Sequence, residues 1–317
     1  MGYHPRIECP DYINHITSRT RNSELWFINN KKLEEAILGR LAQCVERYKA
    51  KIYAFGLQSS HKHSLADFPG CNRADFMRDL NGYITKLVKR HVPTYPGGSL
   101  WARRYSNEFV DEEKTLEWYF FYVVLQPVRH GLVDKISDYP GYNCFHDAVW
   151  GIKRKFKVVR WEAFNEARRW NKKVHIRDYT DTVELEYTRL PGYEDMSQED
   201  YARMMYRKLE EYRLIFIEER KQQGKTRALG KELLRETVPG TPAKNPVRSK
   251  RNSKRPRFLC FCPDRRRRGY EWYFSIYFWY KEASERYRAG EHDVEFPPGT
   301  YKPHLKPPSG SPPAPPF

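Results

Sequence analysis

Along residues 1–125, segments with the hydrophobic periodicity of a helix alternate with segments that have the character of a strand. The order of these segments restricts the fold more than any other feature of this sequence. Apolar residues recur at every fourth position after Asn30, as on one face of a helix that ends near Tyr48. A second amphipathic helix is predicted over residues 73–91. The inner faces of the two helices are formed by Leu33, Ile37, Leu41 and Val45, and by Phe76, Leu80, Ile84, Leu87 and Val88.

Segments with strand character lie before, between and after these helices. They are predicted at 11–19, 51–58, 61–67 and 101–110, because β-branched and aromatic residues are frequent there. A third helix is expected to end or kink at Gln126, because Pro127 disfavours helical geometry in the preceding residue. The order of elements predicts an α+β domain with helices packed on an antiparallel sheet.

Positive charge is concentrated in the C-terminal half of the chain. The net charge is +17, and residues 221–268 contain 16 Lys and Arg against three acidic residues, a net of +13. Such a run is often only a solvated surface, but this density favours phosphate contacts, which release the counterions condensed on nucleic acid. The run ends in four consecutive arginines: Arg265, Arg266, Arg267 and Arg268.

The composition changes after about residue 145, and four parts are predicted. Residues 1–145 form the α+β domain, and residues 146–238 form a mostly helical extension. Residues 239–269 are basic and Pro-rich, which is typical of a linker. Residues 270–317 contain an aromatic segment, either a buried strand or a helix, and a Pro-rich tail that is expected to lack regular structure.

Several classes of protein are not favoured by this sequence. It has no run of 18 or more apolar residues, and its N-terminus lacks the apolar core of a signal peptide, so a cytoplasmic protein without membrane contact is predicted. The six cysteines fit neither a zinc ribbon nor a dense disulfide framework. No P-loop or dinucleotide-binding glycine motif is present, so a nucleotide cofactor is not expected.

The segment HKH places two histidines in the third predicted strand. Because alternate residues of a strand point to the same side, His61 and His63 can present two imidazoles to one ion, with Lys62 on the opposite face. The alternative is that both are structural or surface histidines, since two ligands rarely make a metal site. A third ligand is therefore required from elsewhere in the chain.

Tyr122 and Gln126 are four residues apart in WYFFYVVLQPVRHGL, and on a helix they share a face. Gln126 offers an amide oxygen, and Tyr122 a hydroxyl that can act as a nucleophile. Two imidazoles and an amide oxygen leave positions for a phosphate and water, which suits Mg²⁺ or Mn²⁺ acting on a phosphodiester. The alternative is that WYFFYVVL is a buried strand with structural tyrosines.

Five blocks of this sequence, in this order, resemble the single-tyrosine HUH transposases, most closely the REP-associated tyrosine transposase group. The blocks are PRIECPDYINHITSRT, KIYAFGLQSSHKHSL, FMRDLNGYITKLVKRH, GSLWARRYSNEFVDEE and FYVVLQPVRHGLVDKISDYPGYN. The resemblance covers about residues 5–145 and only weakly the remainder. It implies a ferredoxin-like domain and a homodimer, because related enzymes often pair their sites.

The resemblance also implies roles for individual residues. The two histidines that bind the metal in this family fall on His61 and His63. The catalytic tyrosine opens a motif of the form YIxxNPV, which falls on Tyr122, and the Asn or Gln ligand four residues later falls on Gln126. Tyr119 is the nearest rival nucleophile but is out of register with the motif. The sequence departs from the family at Lys62, where a large apolar residue is usual.

The activity implied is metal-dependent cleavage and rejoining of single-stranded or hairpin DNA, near the nucleoid, through a 5′-phosphotyrosine. Phosphate contacts are predicted for Arg19, Arg21, Arg103 and Arg104, and for the four arginines at 265–268. Two other functions stay open. A degenerate or domesticated copy would bind hairpin nucleic acid without cutting it, and a metal-dependent phosphodiesterase would use water in place of tyrosine.

Overall fold

The structure is a computed structural model that describes residues 4–224, 227–244, 246 and 256–304. Its strands are β1 (Ile13–Arg19), β2 (Lys51–Leu57), β3 (His61–Asp67), β4 (Ser106–Val110), β5 (Arg154–Val159), β6 (Thr180–Leu185) and β7 (Phe258–Leu259). Its helices are α1 (Lys31–Tyr48), α2 (Arg73–His91), α3 (Glu113–Val124), α4 (Gln126–Arg129), α5 (Phe145–Trp150), α6 (Trp161–Trp170), α7 (Gln198–Gln222), α8 (Lys231–Glu236) and α9 (Pro263–Arg288). Short 3-10 turns lie at Arg21–Ser23, Ile136–Asp138 and Ile176–Tyr179.

A five-stranded sheet forms the centre of the N-terminal part. Its strand order is β2-β3-β1-β4-β7, and all neighbours are antiparallel except β4 and β7, which are parallel. The succession β1-α1-β2-β3-α2-β4, with β1 and β3 in the middle, is the ferredoxin-like arrangement. The predicted α+β class with an antiparallel sheet and packed helices is therefore confirmed.

Both faces of this sheet are covered. The helices α1 and α2 pack against each other, and their predicted apolar stripes are almost wholly buried. Asn30 caps α1 as predicted, because its side-chain oxygen accepts a hydrogen bond from the backbone N–H of Leu33 over 2.9 Å. The helix α3 packs against β2 and β3. As a result, β3 is buried along nearly its whole length.

The C-terminal extension is mostly helical, as predicted, and its longest helices are α7 and α9. The helix α9 includes both the four arginines that we assigned to the linker and the aromatic segment that follows them. It packs on the sheet edge through β7, where the ring of Phe258 stacks on Phe109 with centroids 5.0 Å apart. A glycine is required at Gly269 because a Cβ there would lie 2.5 Å from the Phe258 ring.

Four further observations compare the structure with the predicted elements. The strand predicted at 101–110 is shorter, because residues 103–105 leave the ladder and Trp101 forms only an isolated bridge with Thr20. The antiparallel hairpin of β5 and β6, which packs on α1, was not predicted. Residues 245 and 247–255 of the predicted linker and residues 305–317 of the predicted tail lie outside the described residues. In the described chain, every helix is too short or too polar to cross a membrane.

Candidate active site

His61 and His63 lie on the same face of β3, with their ring centroids 5.1 Å apart. Both side chains are buried, 7% and 5% exposed. Burial holds the pKa of both imidazoles well below its usual range, so both rings are neutral at pH 7. A neutral imidazole keeps one nitrogen lone pair, which metal coordination requires.

Tyr122 and Gln126 lie on either side of a break between two helices. The helix α3 ends at Val124 and α4 begins at Gln126, so the predicted kink before Pro127 is present. Nε2 of Gln126 donates a hydrogen bond over 3.0 Å to the backbone carbonyl of Tyr122, which fixes the amide one turn beyond the tyrosine. The Tyr122 ring meets the ring of His63 edge-on, with centroids 6.0 Å apart. The structure thus brings the candidate nucleophile to the histidine pair.

Two buried polar atoms here have no hydrogen-bond partner among the described residues: Nε2 of His61 and Oε1 of Gln126. Buried polar atoms are nearly always paired in folded proteins, so these two require an explanation such as an ion. An imidazole nitrogen and an amide oxygen are both ligands of divalent cations. Within the described ranges, no group of three or more His, Cys, Asp or Glu could hold a metal, so the amide oxygen would be an essential ligand.

The hydroxyl of Tyr122 accepts a hydrogen bond from Nη1 of Arg129 over 3.1 Å. The same guanidinium lies 4.7 Å from the centre of the Tyr122 ring. The ring also stacks on Trp118, with centroids 5.3 Å apart. The tyrosine therefore contacts both an indole and a cation, while its side chain stays partly exposed. Arg129 was not predicted, although it lies in the sequence block that contains Tyr122.

Tyr119, the rival nucleophile, lies on the same helix with its ring 5.5 Å from that of Tyr122. Burial, together with the charge of Glu108, raises the pKa of Tyr119 to about 12. Its hydroxyl is therefore harder to deprotonate than a free tyrosine, whose pKa is about 10. The raised pKa disfavours Tyr119 as the nucleophile.

The close approach of α3 to the sheet depends on Gly56 of β2, which pairs with His63 across the ladder. A Cβ at Gly56 would lie 3.2 Å from the carbonyl oxygen of Val123 and 3.3 Å from its side chain. Because Gly56 has no side chain, the backbone of α3 next to Tyr122 can pack closely against β2, beside His63.

His63 has further partners that were not predicted. Its Nδ1 lies 2.9 Å from Nε2 of His15 and 3.2 Å from Oγ1 of Thr17, both on β1. His15 in turn lies 2.9 Å from Glu108 of β4. Burial alone would raise the pKa of Glu108, but its contacts with His15 and Arg257 lower it below the usual value. The sequence indicates only that His15 and Thr17 share one face of β1. It does not indicate which strands pair with β1.

The predicted arginines lie in different places. Arg19 pairs with His61 across the β1–β3 ladder and interacts electrostatically with Arg103 and Tyr122, so it borders the histidines. Burial and the charge of Arg103 lower the pKa of Arg19. Arg21 lies in the first 3-10 turn, and Arg103 and Arg104 are exposed just before β4. The remaining four are exposed in the first turns of α9: Arg265, Arg266, Arg267 and Arg268.

Lys62 points to the opposite face of β3 and is fully buried. Its Nζ has no hydrogen-bond partner among the described residues. Burial lowers its pKa to about 7. Because the amine neither reaches solvent nor finds a partner in the described chain, its burial opposes folding.

The N-terminal part of the chain is similar to known proteins. Residues 9–126 match the family described as transposase, IS200 like, and this range contains all four candidate site residues. A protein of Haemophilus influenzae assigned to the REP-associated tyrosine transposases is 26% identical over 117 residues, which are 34% of this chain and 65% of that protein. The chain thus spans less than two thirds of that relative. The predicted resemblance to these transposases is confirmed for the N-terminal part.

Two solved structures are also similar to this chain. One is a REP-associated tyrosine transposase bound to a REP hairpin, with 18% identity, a TM-score of 0.40 and coverage of 46% of this chain and 84% of that one. The other is a Deinococcus radiodurans protein assigned as a transposase, with 18% identity, a TM-score of 0.28 and coverage of 32% and 81%.

Proposed function

We propose, from the premise that residues 9–126 form an IS200-like transposase domain, that this protein cleaves and rejoins single-stranded or hairpin DNA through a phosphotyrosine at Tyr122. The observation that carries the proposal is the contact of the Tyr122 ring with His63. The same two segments carry Nε2 of His61 and Oε1 of Gln126, which lack hydrogen-bond partners among the described residues. A tyrosine nucleophile beside a metal-binding donor set is suited to phosphodiester transfer.

Three side chains would hold the divalent ion, Mg²⁺ or Mn²⁺: His61, His63 and Gln126. When bound, the ion supplies Lewis-acid polarisation of the scissile phosphate. The chain's own contribution is to keep both imidazoles neutral by burial and to fix the amide of Gln126 through its bond to the Tyr122 carbonyl. These contacts prepare the donor atoms before DNA arrives.

The nucleophilic step uses Tyr122 and Arg129. The tyrosine gives its proton to solvent water, its oxygen forms a bond to phosphorus, and the bond from phosphorus to the 3′ oxygen breaks. The 3′ oxygen takes up a proton and leaves as a hydroxyl, while the 5′ phosphate stays on the tyrosine. Arg129 stabilises the negative charge on the phenol oxygen through its hydrogen bond. Because a phosphodiester-type bond is conserved, the 3′-hydroxyl of another strand can reverse the step without a nucleotide cofactor.

DNA would be held by two basic regions. Arg19 pairs with His61 and interacts with Arg103, so these two arginines would contact the phosphates next to the cleaved bond. Arg21 and Arg104 are close to them in the sequence and exposed, and would contact further phosphates. On α9, a groove of about 750 Å³ is lined by arginines and aromatic rings: Arg266, Arg267, Tyr270, Phe274 and Phe278. Aromatic faces can stack unpaired bases while arginines contact the backbone, so this groove suits a single-stranded segment or a hairpin loop.

The second candidate function is binding of hairpin nucleic acid without cleavage. It is favoured by Lys62, which lies between the two histidines and whose buried amine opposes folding. A degenerate copy would keep the basic surfaces and lose the covalent step. The homodimer, the four-part division of the chain and the nucleoid location remain predictions.

The test is a denaturing gel of labelled hairpin DNA incubated with the full chain. We expect a covalent protein–DNA adduct with Mn²⁺ or Mg²⁺, no adduct with EDTA, and no adduct with Tyr122→Phe, which should still bind the DNA. Binding without an adduct under every condition would support the non-cleaving function. Cleavage that survives Tyr122→Phe without an adduct would indicate water as the nucleophile and overturn the proposal.

A further inference from the structure

A chain of hydrogen-bonded side chains leads from the C-terminal segment to His63. Nε of Arg257 donates to Oε1 of Glu108 over 2.6 Å. The other carboxylate oxygen of Glu108 lies 2.9 Å from Nδ1 of His15, and Nε2 of His15 lies 2.9 Å from Nδ1 of His63. The two imidazole planes are nearly parallel, 11° apart, with centroids at 5.2 Å. Four side chains from three different strands and the C-terminal segment are thus connected.

The chemistry of Glu108 fixes the direction of these hydrogen bonds. An ionised carboxylate only accepts, so Nδ1 of His15 must carry the hydrogen of that contact. A His15 that carries only this hydrogen has its lone pair on Nε2 and accepts from Nδ1–H of His63. The lone pair of His63 is left on Nε2, the nitrogen that points away from β1. The reverse arrangement would put a hydrogen on Nε2 of His63 and block coordination there.

We propose that Glu108 and His15 are positioning residues that hold His63 in the tautomer able to bind the metal, and that Arg257 completes this unit from outside the family-matched domain. The metal role of His63 is part of the proposed function, and this inference rests on it. Carboxylate–histidine contacts of this kind orient metal ligands and raise their basicity. Here a second histidine stands between the carboxylate and the ligand.

The contribution of Arg257 follows from the strand register. The strand β7 pairs in parallel with β4 so that Phe258 lies opposite Phe109, and the N–H of Phe109 donates to the carbonyl of Arg257 over 2.9 Å. This register places Arg257 beside Glu108. The family match ends at residue 126, whereas Arg257 lies 131 positions later in the sequence. The C-terminal segment would therefore complete the catalytic domain as well as carry DNA-binding arginines.

The first measurement is the tautomer of His63 in the metal-free full chain, read by ¹⁵N NMR of histidine-labelled protein. We expect the hydrogen on Nδ1 in the wild type. Glu108→Leu should shift His63 toward the form with its hydrogen on Nε2, or to a mixture. Because no metal is present, this readout does not depend on activity. A wild-type His63 with its hydrogen on Nε2 would overturn the inference.

The second measurement is the affinity for Mn²⁺, determined by titration without DNA. We expect Glu108→Leu to weaken binding by about 10- to 100-fold, as is typical for loss of a residue that orients a metal ligand. Arg257→Met should weaken it by a smaller factor. The matched controls are Glu35→Leu on α1 and Arg286→Met on α9, both exposed, which should bind as the wild type does.

The outcomes separate this inference from the proposed function. If the wild type binds no Mn²⁺, the proposed metal role fails, and this inference with it. If the wild type binds Mn²⁺ but Glu108→Leu and Arg257→Met bind equally well, the inference alone is wrong. Should Glu108→Leu fail to fold, Arg257→Met decides by the Mn²⁺ titration, since it leaves the Glu108 carboxylate in place, and a wild-type affinity in this variant would overturn the inference.

Discussion

The guanidinium of Arg129 donates a hydrogen bond from Nη1 to the hydroxyl of Tyr122 over 3.1 Å and lies 4.7 Å from the centre of the same ring. If this contact stabilises the attacking oxygen, Arg129→Met should slow adduct formation by about 10- to 100-fold, the effect of one charge-assisted hydrogen bond. Single-turnover rates at saturating protein provide the measurement. Arg203→Met on α7 is the control, and an unchanged rate in Arg129→Met would refute the role.

The contact between Gly56 and the backbone of Val123 gives a second prediction. Gly56→Ala should push α3 away from β2, because the new methyl group would lie 3.2 Å from the Val123 carbonyl. We expect adduct formation to fall by up to about 100-fold, since displacements on the order of 1 Å can cost this much, with little change in hairpin binding.

The matched control for this variant is Gly82→Ala on α2, where no atom lies within 4 Å of the new methyl group. That variant should keep full activity and gain stability by about 0.5–1 kcal/mol, because alanine is favoured over glycine inside a helix. Equal activity of the two alanine variants would contradict the account of Gly56.

Gln126 yields a prediction about metal binding that needs no DNA. Saturating Mn²⁺ at about 100 times its Kd should stabilise the wild type by about 2.7 kcal/mol, and this gain should disappear in Gln126→Leu. The amide oxygen, which has no partner in the described chain, is the ligand that this variant removes. The measurement is the change in Tm on adding Mn²⁺.

Two comparison variants make the metal experiment specific. Gln126→Glu keeps an oxygen ligand and should retain the stabilisation by Mn²⁺. Gln43→Leu on α1 should respond to the ion as the wild type does. If Mn²⁺ raised the Tm of Gln126→Leu as much as that of the wild type, the amide of Gln126 would not be a metal ligand.

Lys62 gives a prediction about stability. Lys62→Met should raise the free energy of unfolding by about 1–3 kcal/mol at pH 7, because it removes a fully buried amine without a partner in the described residues. Urea unfolding measures this change, and Lys89→Met on the exposed face of α2 should leave stability nearly unchanged. A lower free energy of unfolding in Lys62→Met would mean that the amine of Lys62 makes favourable interactions that offset the cost of its burial.

Much of the N-terminal fold could be predicted because its elements have clear local periods. The stripe of Leu33, Ile37 and Leu41 and the alternation in HKHSLAD follow directly from helix and strand geometry. The hairpin of β5 and β6 was missed because its residues alternate weakly and are stabilised by packing on α1. The sequence of α9 is compatible with either a strand or a helix, because aromatic residues occupy most of the helix faces.

Only those residues of the candidate site that are close to each other in the sequence could be predicted. His61 with His63, and Tyr122 with Gln126, are pairs separated by two and four residues, so strand and helix geometry relates their side chains. His15, Glu108 and Arg257 meet through the registers of β1 with β3, β1 with β4 and β4 with β7. Such registers depend on long-range pairing, which no local pattern in this sequence specifies.

The most direct test of the central claim is to locate the covalent bond. The adduct formed with Mn²⁺ and hairpin DNA is digested with nuclease and protease, and the peptide that carries the nucleotide is sequenced by mass spectrometry. We predict a nucleotide linked through its 5′ phosphate to Tyr122. A nucleotide on Tyr119, or on any other residue, would contradict the account.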